Sequence, residues 1–269
     1  MTLDSLPDVN WLPITDPGPP VDGVVIANRS MDHVTSALPF VAAGVPCFVE
    51  KPLATCLADF VELKAAADAA NCPVFAGHLH RFNPAAEVFC ATLSQIGPVQ
   101  SASAYCANNK PRDDTSVIWD WLPHPLSLAR QIFTSPADHA RANSLHGGNR
   151  PQHVRAELSY QGRKFTLEAS WRASTPAFRI IARGRDATLI FDDKAEEKVV
   201  LTREGTSTPL AYGQEPPLTR ELRAFVDMIG GRRENASSLS AAEDVMRSLD
   251  AVARSVSERG ARVAINWPG

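Results

Sequence analysis

The chain has 269 residues, 44% hydrophobic and 21% charged, enough to bury the core of one large domain or two modest ones. Lys plus Arg number 27 against 30 for Asp plus Glu, a net charge of −3 that excludes the basic footprint of a nucleic-acid or acidic-membrane binder. Cys47, Cys56, Cys72, Cys90 and Cys106 are odd in number, widely spaced and without a C-x-x-C pair, which argues against a disulfide framework or a zinc knuckle and for a reducing compartment.

The first twenty residues carry Asp4, Asp8 and Asp16 and neither a basic nor an apolar signal region, so no secretory peptide is expected. Val24 to Ala27 is a short β-branched run entering the polar turn Asn28-Arg29-Ser30. A helix is expected from Met31 to Ala43 with Gly44 as its stop, then a strand over Pro46 to Val49 ending in Glu50-Lys51-Pro52. The apolar run Ala37 to Val49 is broken by Pro39, Gly44 and Pro46 and is too short to span a bilayer, so a cytoplasmic location is expected. Leu57, Phe60, Val61, Leu63 and Ala67 have helical spacing over Thr55 to Ala70, Asn71 is a plausible stop, and Pro73 to Ala76 reads as a third strand. Continuous apolar strands alternating with helices indicate a parallel sheet covered on both faces.

After Ile96 the pattern changes. Val99–Cys106, Val154–Tyr160, Lys164–Trp171, Phe178–Ala182, Thr188–Phe191 and Lys198–Thr202 read as strands joined by turns, with one helix over Pro123 to Phe133. They form a mainly antiparallel sheet in this reading. Two helices close the chain, one with a stripe of Leu218, Leu222, Phe225, Val226 and Ile229, the other opening on a capping box at Ser240–Glu243 and running to Gly260. Ala261 to Trp267 is expected as a last strand.

Ligands of open parallel sheets bind beyond the carboxyl ends of the strands, which singles out Asn28 to His33, Glu50-Lys51-Pro52 and Gly77 to Pro84. A lysine at such a strand end donates to a substrate oxygen, or is simply solvated. His124, in Trp119-Asp120-Trp121-Leu122-Pro123-His124-Pro125, takes a hydroxyl proton near neutral pH while Asp120 orients it or binds substrate; alternatively the segment is a helix entrance with buried tryptophans.

In order, Ala27–His33, Glu50-Lys51-Pro52, Gly77–Pro84 and Asp120-x-x-x-His124, with a tail from Pro217-Leu218-Thr219-Arg220-Glu221-Leu222 through Ser240, Asp250, Ala251, Ser255 and Gly260 to Val263, resemble the Gfo/Idh/MocA oxidoreductases. That family includes glucose–fructose oxidoreductase and inositol dehydrogenase. The resemblance implies an α/β fold: an N-terminally truncated Rossmann-like parallel sheet in a partial dinucleotide-binding domain over residues 1–95, and a C-terminal α+β domain over residues 96–269 for substrate binding and oligomerisation. It also implies hydride transfer between NAD or NADP and the CH–OH carbon of a sugar, cyclitol or related small molecule. Lys51, Asp120 and His124 match the catalytic positions, with Lys51 as electrophile and His124 as general base. Ala27, Asn28, His33, Glu50, Lys51 and Pro52 fall where the family contacts the cofactor. Lys51, Arg81, Asp120 and His124 fall where it meets substrate. Homo-oligomerisation through the C-terminal sheet is implied, with no metal and no nucleic-acid partner.

The chain departs from the family in three ways. No G-x-G-x-x-G occurs in the sequence, so the turn that seats a pyrophosphate on a helix N-terminus is not supplied by these residues. Either a longer reading frame restores it, or the chain is a catalytically impaired relative acting in binding or assembly. Val24 to Ala27, matching the family's fourth strand, is expected to expose an apolar edge unless residues before Asp22 or a partner cover it. The prolines flanking His124 are expected to displace it from the helical turn above Asp120.

Overall fold

The structure is a computed structural model that describes residues 21–148 and 150–267. Three parallel strands, β1 (Val24–Ile26), β2 (Cys47–Glu50) and β3 (Val74–Gly77), lie in the order β1-β2-β3, joined by α1 (His33–Ala42) and α2 (Leu57–Ala70). Cys47, Phe48, Val49, Val74, Phe75 and Ala76 are all buried, the signature of strands covered on both faces. The expected stops hold. Gly44 has φ +73° two residues beyond α1, and Asn71 closes α2 in the left-handed region at φ 48°. Among the described residues β1 pairs only with β2, and Val25 is 53% exposed. The segment expected to cover that edge falls almost wholly outside the described residues.

Nine further strands make the second sheet: β4 (Val99–Ala107), β5 (His139–His146), β6 (His153–Tyr160), β7 (Arg163–Ser170), β8 (Ala177–Gly184), β9 (Thr188–Asp192), β10 (Val199–Arg203), β11 (Thr206–Pro209) and β12 (Val263–Ala264). Their order is β11-β10-β9-β8-β4-β7-β6-β5-β12. Every neighbouring pair is antiparallel except β4 with β7 at the centre, so the sheet is mixed. β5, β11 and α3 (Pro84–Thr92) are not among the expected elements. β5 alternates properly, but its inward residues are the small Ala140 and Ala142; β11 is exposed throughout; and α3 follows an Asn83 cap whose side chain accepts from Ala85 N. The expected last strand shrinks to the two residues of β12, paired with β5. α4 (Val117–Trp121) and α5 (Pro123–Phe133) follow β4.

The last two helices, α6 (Pro217–Ile229) and α7 (Leu239–Ser257), return the chain to the small sheet. Phe225 sets its ring edge-on to Phe48 and Phe75, with centroids 5.7 and 5.8 Å away, and Phe82, Ala224 and Met228 complete the cluster. Ser237 locks the start of α7 to β3, its hydroxyl and carbonyl each meeting the Ala76 backbone at 2.7 Å. Two expectations are corrected here. The cap of α7 is Ser238, whose Oγ accepts from Ala241 N, while Glu243 pairs instead with Arg247 at 2.6 Å. On α6, Leu218 and Val226 are 51% and 54% exposed, and the buried face is Glu221, Ala224, Phe225 and Met228. Glu221 shifts the buried arc because its carboxyl is itself sealed in the packing.

That carboxyl has no hydrogen-bond partner among the described residues. Burial, and then the nearby Glu50 carboxylate, push it from an ordinary value near 4.5 up to about 8. Between those values the folded chain keeps a proton that the unfolded chain releases, so stability falls as pH rises through the window, by at most about 1.4 kcal/mol per unit. In urea unfolding at pH 5.5 and pH 8.5, Glu221→Gln is expected to flatten the decline seen in the unsubstituted chain. Identical pH dependence of the two proteins would contradict the protonated, buried carboxyl.

Candidate functional site

The carboxyl ends of the three parallel strands face one side. Behind β1 come Asn28, Arg29 and a 3-10 turn over Ser30–Asp32; behind β2, Glu50-Lys51-Pro52; behind β3, His78 and a 3-10 turn over Leu79–Phe82. Gly77 pairs with Glu50 in register, and a Cβ there would stand 3.0 Å from Glu50 Cα and Val49 O, so only glycine lets these two strand tips lie so close. Against this edge stand α4 and α5. Leu122, between them, keeps helical dihedrals (φ −70°, ψ −21°), and Pro123 occupies the first position of α5, where its missing N–H leaves nothing unpaired. Asp120 and His124 therefore do lie one helical turn apart, and the separation expected from the prolines does not occur.

Lys51 crosses from the tip of β2 to the start of this helical segment. Its Nζ donates to Asp120 Oδ1 at 2.9 Å and to Asp120 O at 3.0 Å, with side-chain exposures of 17% for Lys51 and 11% for Asp120. The other carboxylate oxygen, Asp120 Oδ2, accepts from the buried indole of Trp171 at 2.9 Å. Asp120 is thus held at both oxygens, and neither of these bonds goes to His124. The reading of Asp120 as the group that orients His124 is corrected accordingly: the ring partner of His124 is His80, Nδ1 to Nδ1 at 3.1 Å. Burial, and then the charge of Lys51, hold His124 well below the ordinary imidazole range. His80 is pushed down to about 4, chiefly by burial.

A third contact bolts the loop after β4 onto the turn after β1. Arg112 donates to both oxygens of Asp114, at 2.9 and 2.8 Å, and to Ser30 Oγ at 3.2 Å, while Asp114 Oδ2 accepts Ser30 N at 2.9 Å. The Arg112 guanidinium, together with the Ser30 bond, holds the Asp114 carboxyl below the usual carboxylate range, although desolvation opposes it. Arg112 also reaches to 3.9 Å from Asp120 Oδ1. Beside it opens a cleft of about 680 Å³ lined by Asn28, Arg29, Pro111, Arg112, Asp113 and Asp114.

The residues expected to bind cofactor divide into two groups. Ala27 and Asn28 are exposed at the end of β1, Asn28 lining the cleft, and Glu50 and Lys51 stand at the tip of the neighbouring strand β2. His33 and Pro52 lie behind: His33 is buried with Nδ1 2.7 Å from Pro52 O and Nε2 3.2 Å from Asn28 O, so its ring braces the two turns. Arg81 does not join Lys51, Asp120 and His124. It donates to Ala236 O at 3.2 Å and lines another cavity with Glu87, Arg220 and Arg223. His80, Arg112, Asp114 and Trp171 carried no expectation. His80 was within reach of the strand-end rule; the other three meet the site only through the loop after β4 and the end of β7, which no local spacing announces.

The cleft offers hydrogen-bond donors from the exposed Asn28–Arg29 turn and Arg112 beside the carboxylates of Asp113 and Asp114, a polar lining that fits the hydroxyl groups of a nucleotide ribose. The family model for the Gfo/Idh/MocA oxidoreductases, described as NAD-binding Rossmann fold, matches residues 12–78. An inositol 2-dehydrogenase from Acidothermus cellulolyticus is 34% identical over 143 residues, which is 51% of this chain and 41% of that protein. A solved structure assigned as an oxidoreductase, from Magnetospirillum magnetotacticum, superposes with a TM-score of 0.79 at 27% identity, covering 87% of this chain and 80% of the other. The first quarter of the chain thus matches the Gfo/Idh/MocA family model, and the fold as a whole is similar to that of a solved oxidoreductase. The same fold recurs in an inositol dehydrogenase homologue from Azotobacter vinelandii in complex with NADH and myo-inositol, with a TM-score of 0.76 at 16% identity over 91% of this chain and 78% of that one. The match to the curated inositol dehydrogenase spans less than half that protein's length, whereas the structural likeness extends over both sheets.

The Lys51–Asp120 pair makes a prediction that needs no substrate. Removing one partner of a mostly buried pair strands the other charge, at a cost of about 3 kcal/mol. Lys51→Met is expected to lower unfolding stability by that order, and adding Asp120→Asn is expected to recover part of the loss. Additive losses in the double variant would show that the two charges do not depend on each other.

Proposed function

We propose that this chain is an NAD(P)-dependent oxidoreductase that oxidises a CH–OH group of a sugar, cyclitol or related polyol. The observation that carries the reading is the Lys51–Asp120 pair, with a half-buried, uncharged His124 one turn further along the helix. Lys51 donates to the reacting hydroxyl and steadies the negative charge that builds on its oxygen. Asp120, anchored by Trp171, holds the ammonium at that spot. His124 accepts the hydroxyl proton as the carbon–oxygen bond becomes a carbonyl. A bound NAD or NADP supplies the acceptor for the hydride leaving the same carbon. Asn28 and Glu50 contact its ribose–nicotinamide end in this reading.

Two buried nitrogens near His124 support a polyhydroxylated substrate. Trp121 Nε1 and His78 Nε2 have no partner among the described residues; the Trp121 ring lies 5.6 Å from that of His124, and His78 acts electrostatically on it. Hydroxyl groups complement such unpartnered nitrogens, and the likeness to inositol dehydrogenases favours a cyclic polyol.

The boundary between the two domains is taken at residues 95–96, just before β4. The face of the large sheet carrying Ser103, Tyr105, Thr166, Arg179 and Ile181, with Tyr105 39% exposed, suits a homo-oligomer contact. Five unpaired cysteines favour a reducing, cytoplasmic setting. A second reading, a binding or assembly protein without redox chemistry, is favoured by the absence of G-x-G-x-x-G from these 269 residues.

The two readings separate on cofactor and turnover. Calorimetry is expected to show NADH or NADPH binding, and a panel of polyols with NAD or NADP is expected to yield reduced nicotinamide. Lys51→Met and His124→Gln are each expected to lower kcat by roughly 10²–10⁴-fold. Absence of binding of either nucleotide at roughly millimolar concentration, the weak end of ordinary affinities, would rule out an independent dehydrogenase.

A further inference from the structure

Two imidazoles joined through their Nδ1 atoms, as His80 and His124 are at 3.1 Å, obey a strict rule: one Nδ1 carries a hydrogen and the other offers a lone pair. A neutral His124 that accepts a proton at Nε2 must carry its own hydrogen on Nδ1. The bond then runs from His124 Nδ1–H to the Nδ1 lone pair of His80, which leaves His80 with its hydrogen on Nε2. Asp120 does not impose this arrangement, because its carboxylate oxygens bond Lys51 and Trp171 and the ring partner of His124 is His80.

We propose that His80 is the positioning residue of the site, accepting the Nδ1–H of His124 and so fixing the tautomer in which His124 Nε2 is free to act as a base. The proposal rests on the reading of His124 as the proton acceptor, but it is a statement about two rings and is testable without turnover. It assigns to an imidazole the part that a carboxylate plays in a hydrolytic triad. A neutral acceptor suits this site, since Lys51 is already neutralised by Asp120 and another buried anion would compete for it.

The surroundings hold His80 in place. It sits in the 3-10 turn directly after β3, and its ring stacks on Phe178 with centroids 3.9 Å apart and planes 27° from parallel. His124 lies edge-on to it at 4.7 Å. The charged and titratable groups facing the pair are Lys51 and His78 on the His124 side, and Asp193, Lys194 and Lys198 on the His80 side. Asp193 is itself held by Lys198 and Asn83, each at 3.0 Å. Burial keeps both rings uncharged at neutral pH, so the shared hydrogen belongs to a neutral pair.

The experiment is long-range proton–nitrogen NMR of the full chain, which reads the tautomer of each histidine ring, with His80→Gln and His80→Phe as variants. The unsubstituted protein is expected to show His124 protonated at Nδ1 and His80 at Nε2. The amide oxygen of His80→Gln still accepts a hydrogen bond and is expected to preserve the His124 tautomer; His80→Phe, which has no acceptor, is expected to lose it. In steady-state kinetics on a polyol substrate, His80→Phe is expected to lower kcat by roughly tenfold to a hundredfold with KM nearly unchanged, and His80→Gln to restore most of it. A His124 ring protonated at Nε2 in the unsubstituted chain, or a His124 tautomer indifferent to His80→Phe, would overturn the proposal. The expected tautomers in a chain that turns over no polyol would overturn the dehydrogenase reading and leave the assignment of the pair standing.

Discussion

A mostly buried ammonium–carboxylate contact helps to tie the two halves of the molecule together where a ligand would enter. Lys51 leaves the last turn of a buried strand and meets Asp120 on a helix belonging to the other sheet's half of the chain, at 2.9 Å and largely out of water. Charges so placed are expensive to desolvate, and such a pair contributes to folding chiefly by being complete. Its arrangement makes more sense as placement than as stabilisation. The Asp120 backbone oxygen gives the ammonium a second acceptor, while the Trp171 indole and, at longer range, Arg112 hold the Asp120 carboxylate.

Around that contact the packing separates two tasks. Phe48, Phe75, Phe82 and Phe225 join α6 to the small sheet through an aromatic cluster that adds cohesion beyond the ion pair. The site's polar groups are in turn supported by bonds that cross between segments distant in sequence: Arg112 and Asp114 to Ser30, His80 to His124, Trp171 to Asp120. The strand tips and the helical segment are therefore braced from both sides, which is the condition for a preorganised site.

Much of this was legible in the sequence. The three parallel strands and their helices follow from apolar runs bounded by Gly44 and Asn71, and the strand-end rule singles out the segment of Lys51 as one of three, with its role given by the resemblance. The Asp120–His124 spacing survives because proline at the first position of a helix conflicts with nothing, a point that the local bias of pre-proline residues conceals. What was not legible has physical reasons. Glu221 is a carboxyl on a buried helix face, and polarity patterning assigns such residues to solvent. β5 fills its core positions with alanines, which carry little strand signal. His80, Trp171 and Arg112 become partners of the site only once β3, β7 and the loop after β4 are brought together in space.

The central claim is that Lys51 and His124 act on one hydroxyl group. The most direct measurement is a crystal structure of the chain with a reduced nicotinamide nucleotide and a cyclic polyol. The account predicts a single hydroxyl oxygen within about 3 Å of both Lys51 Nζ and a ring nitrogen of His124. A polyol seated elsewhere, or one whose hydroxyl groups reach neither side chain, would contradict it.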